Sequence, residues 1–534
     1  MSAAVERAIA DDVTARLRDG DASLWGGPQT PEVANRLGWL TIAERMRTDL
    51  PAIGALVEQA RAEQLEHVVL LGMGGSSLAP EVLRRTFGSG AGHPRLHVLD
   101  STDAATIRAV QDAVPLERTL FIVSSKSGGT IEPLSLFAHF HALLGDGTRF
   151  VAITDPGSAL ERLAEDRGFR ATFAGDPDIG GRYSALSPFG IVPGALIGVD
   201  AAHLLDGAAD AWETPLEVLG GTGGREPATV PAAVWLGAAL GALVRSGRDK
   251  LTFLISDSLP GLGLWLEQLV AESTGKHATG ILPVAEEPVG EPPDYGGDRA
   301  FAHINDLSRP DDALERRALA LAAAGHPVIT IPTAGPEDIG RLFMLAELTV
   351  AVAGWGLEIN PFDQPNVQQA KDATNRVLAD FERTHELPEI AGATPAELRS
   401  LLFEAAPPEY VAIMAYLQPS PAFDAAAAEL REAIRARTKA TTTFGYGPRF
   451  LHSTGQFHKG GPRTGRFLQL LHDGSVDVEI PGAAYTFTTL KNAQATGDAN
   501  TLRELGLPAQ RLRLEGEDPV RALRTLTATI KEQT

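Results

Sequence analysis

At 534 residues, 44% of them hydrophobic and 22% charged, the chain can bury several cores and reads as soluble, globular α/β of two or three domains rather than as a disordered or fibrous polymer. Its 68 acidic residues against 47 basic ones give a net charge of −21, a field that repels a nucleic-acid backbone and obliges any small phosphorylated ligand to find local positive charge. The absence of cysteine excludes disulfides, thiolate catalysis and thiolate-bound zinc, and fits a reducing cytoplasm.

Residues 1–60 carry helical spacing, broken near Trp25-Gly26-Gly27-Pro28, and predict a helical preface without chemistry. The opening Met1-Ser2-Ala3-Ala4-Val5-Glu6-Arg7 reads as an amphipathic helix, not a signal peptide. A buried-strand run at His67–Leu71 then leads through Gly72-Met73-Gly74-Gly75-Ser76-Ser77 into a helix over about 78–87. This turn lacks the third, helix-packing glycine of a dinucleotide fingerprint. A sugar or phosphate approaching the bare backbone at Gly74, Gly75 and Ser76 is one reading; a turn that merely needs glycine is the other. Further strands are expected at 96–99, 119–124 and 149–154, alternating with helices, which is the rhythm of a parallel sheet covered on both faces. Such sheets take ligands at the carboxyl ends of their strands.

The richest stretch follows the strand 119–124: Ser125-Lys126-Ser127-Gly128-Gly129-Thr130, then a helix. Ser125, Ser127 and Thr130 offer hydroxyl donors, Lys126 a positive charge, and the free amides of a helix start favour an anion, so the loop reads as a phosphate grip. In Gly180-Gly181-Arg182-Tyr183-Ser184 the paired glycines would let an arginine be held in a fixed direction, suited to a developing oxyanion; an exposed, solubilising arginine is the other reading of this loop. Gly220–Pro227 is the clearest linker. A second α/β unit follows, with strands at 251–256 and 326–331. The uncharged run 232–244 is too short to span a bilayer and predicts a buried helix, so no membrane is expected. Between the two strands lie Ala271-Glu272-Ser273-Thr274-Gly275-Lys276 and an acidic, proline-rich loop over 286–293, and a helix through 342–352 leads to Phe362-Asp363-Gln364-Pro365-Asn366-Val367-Gln368-Gln369-Ala370-Lys371. Beyond about 380 another α/β unit is expected, with strands at 410–417 and 467–471, an amphipathic helix over 423–437, and the run His452-Ser453-Thr454-Gly455-Gln456-Phe457-His458-Lys459-Gly460-Gly461, favoured as a structural turn over an anion site.

Taken in order, the Gly-Gly-Ser turn, Ser-Lys-Ser-Gly-Gly-Thr, Gly-Gly-Arg-Tyr-Ser and Phe-Asp-Gln-Pro-Asn-Val-x-x-x-Lys resemble the glucose-6-phosphate isomerase family over about residues 60–375. The tail is similar to that of the isomerase half of fused transaldolase/glucose-6-phosphate isomerase proteins, with no transaldolase half expected here. The resemblance implies two sugar-isomerase (SIS) αβα sandwich domains with parallel sheets, to which the C-terminal α/β extension is added. It implies a homodimer with its site near the subunit boundary, and a reversible isomerisation of glucose 6-phosphate and fructose 6-phosphate that needs no cofactor and no metal. The expected division is a preface at 1–60, SIS domains at 61–219 and 228–380, and the extension at 381–534.

Carried over motif by motif, Gly74, Gly75 and Ser76 would lie beside the sugar, Ser125, Lys126, Ser127 and Thr130 would grip the phosphate, and Arg182 would face the enediolate. Gln364 would line the site, and Lys371 would assist ring opening. The family's Val-Glu-x-x-Lys stands here as Val367-Gln368-Gln369-Ala370-Lys371. The base is expected at Glu287, before Pro288, with Glu291 before Pro292 as its rival. The ring-opening histidine, donated across the family's dimer, has three candidates: His303, His452 and His458. The alternatives to this function are an isomerase that also takes mannose 6-phosphate and a sugar-phosphate-binding regulator without catalysis.

Overall fold

The computed structural model describes residues 2–214, 230–388 and 391–532, and the expected linker at 220–227 lies outside them. Among the described residues thirteen strands form three wholly parallel sheets. The first holds β1 (His67–Leu71), β2 (Arg95–Leu99), β3 (Thr119–Ser124), β4 (Phe150–Thr154) and β5 (Ala171–Ala174) in the order β2-β1-β3-β4-β5. The second holds β6 (Lys250–Ile255), β7 (Leu282–Val284), β8 (Arg299–Asp306) and β9 (Val328–Thr333) in the order β7-β6-β8-β9. The third, in the tail, holds β10 (Tyr410–Tyr416), β11 (Thr441–Tyr446), β12 (Gly465–Leu471) and β13 (Ala509–Arg513) in the order β11-β10-β12-β13. In each sheet the first strand lies inside, so the chain winds to one side and then returns across it, opening a crevice at the carboxyl ends.

The strands read as continuous apolar runs are the easiest to explain. All six residues of β3 are buried, as a parallel strand covered by helices on both faces requires. Strand β8 carries Arg299, His303, Asn305 and Asp306 and gives no such run, yet all eight of its residues are buried. Its charges are met inside: Arg299 by Glu287 and Thr252, Asp306 by Ser258 and Ser308.

One core joins the N-terminal helices, one face of the first sheet (Val68, Leu70, Leu120, Ile122) and the helices Ala232–Arg245 and Ile339–Leu357 of the second unit. The segment Gly335–Leu357 is long and apolar enough to cross a membrane, but 83% of its most apolar window is buried within the protein. The opposite face of the first sheet (Val69, Leu71, Phe121, Val123) is covered by Val377 and Leu378 and by Phe487, Leu490 and Ala493 from the tail helix Phe487–Glu504. Leu282 and Val284 of β7 share a further core with Tyr410, Met414 and Tyr416 of β10. The tail is thus packed against both units through apolar surface, the interaction that contributes most to holding such elements together.

Candidate active site

Strands β1 and β3 pair in register from His67 with Thr119 to Leu71 with Val123, so their two glycine turns emerge side by side. The first turn meets the arginine loop at one point: a Cβ on Gly75 would stand 2.1 Å from the carbonyl oxygen of Gly181, and only glycine permits that approach. The three loops therefore close around one cleft of about 970 Å³ including its open mouth, the size of a small-ligand site. Gly74, Gly75, Ser76, Lys126, Ser127 and Thr130 line it, together with Arg182, Gln364 and Lys371. Ser125 lies just behind, its hydroxyl donating to the Thr130 hydroxyl at 3.0 Å.

The helix Ile131–Leu144 begins directly after Thr130, which makes no side-chain cap of its own, so the first-turn amides and their partial positive charge face the hydroxyl cradle. Lys126 is already engaged: its ammonium pairs with Asp155 and donates to the Asp176 carbonyl oxygen, and burial pulls its pKa below the usual lysine value against those contacts. Arg36, which no sequence motif marked, brings a second cation to the rim.

Arg182 forms the floor. It is 3% exposed; its Nε donates to the Ser273 hydroxyl at 2.8 Å, and its Nη2 donates to the carbonyl oxygens of Pro361 and Asp363. Nη1 reaches the Gln364 amide oxygen at 3.4 Å and stands 3.8 Å from a Glu272 carboxylate oxygen. Lys276 grips the same 360–363 loop, through Asn360 and Asp363. Burial, and then Arg182, lower its pKa to about 7.

Three carboxylates line this cleft: Asp155 is paired with Lys126, Glu32 lies near Arg36, and Glu272 stands beside Arg182. Glu272 lies in the last turn of the helix Leu262–Thr274, is 4% exposed, and accepts from Gln268 Nε2 at 3.3 Å. Burial raises its pKa above the ordinary carboxylate value, an effect that Arg182 and His452 only partly offset. A carboxylate raised in this way and held near a fixed cation has the makings of a general base.

The expected base, Glu287, lies elsewhere. Its side chain is fully buried behind the acidic loop, 2.9 Å from Arg299 and 3.7 Å from Arg435, and also accepts from the Thr442 hydroxyl. Burial alone would raise this carboxyl, but Arg299, Arg431 and Arg435 hold it below its ordinary value. It does not line the cleft, and a carboxylate so tightly paired is a poor proton acceptor. Glu291, its rival, sits at the surface paired with Arg317. The burial expected beside the apolar run 281–285 does occur, but at an arginine cluster.

Of the three histidines, His452 lines the cleft. His303 is enclosed in β8, its Nδ1 3.4 Å from Thr330. His458 is buried against the Tyr410 hydroxyl at 2.9 Å, and burial pushes its pKa down to about 3. Lys459 is locked to Asp498 at 2.7 Å.

The family model described as phosphoglucose isomerase matches residues 39–281. The chain is 30% identical over 383 residues to a glucose-6-phosphate isomerase of Rubrobacter xylanophilus, a match covering 62% of this chain and 86% of that protein. The chain belongs to the phosphoglucose isomerase family. Another relative, a glucose-6-phosphate isomerase of Geobacter sulfurreducens, is 29% identical over 424 residues, 68% of this chain and 79% of its own length. Among solved structures, a hypothetical protein of Thermus thermophilus matches with a TM-score of 0.54 and 27% identity, over 70% of this chain and 98% of its own. A glucose-6-phosphate isomerase of Chlamydia trachomatis shares the fold, with a TM-score of 0.51 at 21% identity over 70% of this chain and 79% of that one. This phosphoglucose isomerase family member thus keeps the SIS architecture, and nearly a third of it lies beyond either structural match.

Proposed function

We propose that this chain interconverts glucose 6-phosphate and fructose 6-phosphate, with Glu272 as the base that carries a proton between C2 and C1. The observation that carries the reading is the pairing of Glu272 with Arg182 on the floor of a cleft whose wall is the hydroxyl cradle 125–130. In this reading the cradle and the helix start behind it hold the phosphate, and binding energy from that remote group orients the sugar over the base. Glu272 takes the C2 proton of the open-chain aldose and returns it to C1, while the O2 hydroxyl proton passes to O1, so that C1 becomes the alcohol and C2 the carbonyl. Arg182, fixed by four acceptors, needs no rearrangement to stabilise the negative charge that develops on the enediolate oxygens. Gln364 and Lys371 line the sugar's path, and the backbone at Gly74, Gly75 and Ser76 borders it.

Ring opening needs a group that moves a proton between the anomeric hydroxyl and the ring oxygen, and we assign it to His452, whose Nε2 lies 2.9 Å from the Glu132 carboxylate. Burial alone would raise the Glu132 carboxyl, but His452 and then Lys371 help to hold it below its ordinary value, so it stays an anion that orients the imidazole. A regulator that only binds sugar phosphate has no use for a base, a cation and an acid around one cavity. The net charge and the absence of cysteine support a cytoplasmic enzyme without nucleic-acid or membrane partners. The resemblance supports a homodimer and the domain division at 60, 219, 228 and 380.

The test is a coupled assay on the purified chain with glucose 6-phosphate, fructose 6-phosphate and mannose 6-phosphate. Turnover of the first two, with Glu272→Gln inactive, is expected. Turnover restricted to mannose 6-phosphate, or none at all, would sink the assignment.

A further inference from the structure

We infer that the C-terminal α/β unit completes this chain's own sugar-phosphate cleft, delivering His452 in cis so that a single protomer carries a full set of reacting groups. The inference rests on the isomerase reading above and adds the origin of the ring-opening group and a purpose for the chain beyond residue 390.

His452 ends a short turn, Arg449–His452, that follows β11 in the tail. Both parts of the residue are fixed by the other two units. Its carbonyl oxygen accepts from Gln268 Nε2 at 2.8 Å, one turn before Glu272 on the same helix. The same oxygen presses on the first glycine turn so closely that a Cβ on Gly74 would stand 2.7 Å from it. Its ring meets Glu132, in the first turn of the helix behind the phosphate cradle. Gln494 from the tail donates to the same Glu132 oxygen at 2.8 Å, and Thr102 from the first unit donates to Gln494 at 2.7 Å. Glu132 is 3% exposed and Gln494 2%, so this relay works away from water, where each hydrogen bond is stronger and a lost partner costs more.

The residues after His452 are clamped as firmly. Gln456 donates to the Gly275 carbonyl oxygen at 2.9 Å and exchanges bonds with Asn366 at 2.8 and 2.9 Å. A Cβ on Gly275 would lie 2.5 Å from Phe457 Cα. On the far side Lys491 pairs with Asp103 at 2.9 Å, both wholly enclosed. Interlocked glycine contacts, buried ion pairs and shared cores describe a permanent intramolecular dock. The position beside Glu132 is therefore occupied by this chain's own histidine.

Ring opening itself balances without any other reagent. The C–O bond to the ring oxygen breaks, that oxygen gains a proton, the anomeric hydroxyl loses one, and the imidazole is the relay between them.

The deciding experiment co-expresses two full-length variants with different tags, Glu272→Gln and His452→Gln, each defective alone, and assays the mixed product. Sites built in cis regain nothing on mixing, because every protomer lacks one group. If the histidine came from a partner, random pairing in a two-fold dimer would restore about one quarter of wild-type activity, and that result would overturn the inference. Specific activity is also expected to stay constant on dilution from micromolar to sub-nanomolar protein, with mass photometry following the assembly, and a collapse in step with dissociation would count against it. To separate a proton relay from a structural role, His452→Gln is assayed on a four-carbon aldose phosphate, whose ring-closing hydroxyl is blocked by the phosphate. Isomerisation of that substrate should persist while hexose turnover falls at least about a hundredfold; equal losses on both, or no loss on the hexose, would refute the role of His452. An active Glu272→Gln would strike only the base assignment, and the mixing test would then pair His452→Gln with Arg182→Leu.

Discussion

Replacing Glu272 by glutamine removes one ionisable oxygen and leaves the shape of the cleft intact. Gln268 and Arg182 remain in place, so the phosphate cradle and the cation on the floor should still bind fructose 6-phosphate near normally. What is lost is the proton acceptor, and the loss of a positioned general base costs about 10²–10⁴ in rate, roughly 2.7–5.4 kcal/mol of barrier. The measurement is wash-in of solvent deuterium at C1 of fructose 6-phosphate, which reports proton transfer alone, beside the coupled assay for net isomerisation. Both should fall together. Stability gives an independent check with a definite sign. A carboxyl whose pKa is raised by burial binds its proton more readily in the folded state, so its contribution to stability is present at low pH and lost as the pH rises through the folded value. The glutamine variant should then be at least as stable as the parent in urea at neutral pH, with a flatter pH dependence. Near-normal deuterium exchange in Glu272→Gln would refute the reasoning, whatever happened to the overall rate.

Glu287→Gln should do the opposite: breaking a buried ion pair costs about 3–5 kcal/mol of stability, read as a lower urea midpoint, while deuterium exchange per folded molecule persists. Gly75→Ala puts a methyl 2.1 Å from the Gly181 oxygen and should abolish turnover with the protein still folded by circular dichroism; a kcat within a few-fold of the parent would disprove the close approach. Ser125→Ala with Thr130→Ala should raise KM strongly, since hydrogen bonds to a charged phosphate are worth about 1.5–3 kcal/mol each; an unchanged KM would move the grip elsewhere. His458 has a folded pKa of about 3 against an ordinary 6.5, so its contribution to stability is complete above pH 6.5 and fades as the pH falls toward 3; His458→Asn should flatten the acid side of the stability profile measured by urea melts.

The fold and half of the cleft could be read in the sequence because they are written in consecutive residues. A β3 run followed by hydroxyls, two glycines and a helix needs no tertiary knowledge, and neither does Gly-Gly-Arg before Tyr183. The proposed base, Glu272, was harder to see because its neighbours are distant in sequence. Anchoring the loop on a carboxylate followed by proline led to Glu287, and nothing local distinguishes a glutamate that faces a cleft from one that faces three arginines. A signal was nonetheless present: Gln268 and Glu272 stand four apart on a helix that is apolar apart from Glu267, Ser273 and Thr274, so they share one face, and buried polar pairs of that kind are held for contacts. His452 carried no such mark, because its meaning depends on Glu132, 320 residues earlier. Strand β8 escaped for a related reason, since Arg299 and Asp306 break its apolar run and are satisfied only by partners that the fold supplies.

The acidic loop has a function in this arrangement, though not the one its proline suggested. Arg431 donates to the carbonyl oxygens of Ala285 and Glu286, and Arg435 to that of Pro288, while both surround the Glu287 carboxylate with Arg299. Both arginines belong to the tail helix Pro421–Thr438, which leads through β11 to His452. The loop is therefore the socket that fixes the tail to the second unit, two elements upstream of the histidine that reaches the cleft. Burying one carboxylate among three guanidiniums is costly unless every partner is held in register: a tail helix moved off this position would leave Glu287 with Arg299 of β8 alone, its second oxygen deprived of the Arg435 cation. The charge cluster selects a single docked position, and in that position the His452 ring meets Glu132 at the edge of the phosphate cradle.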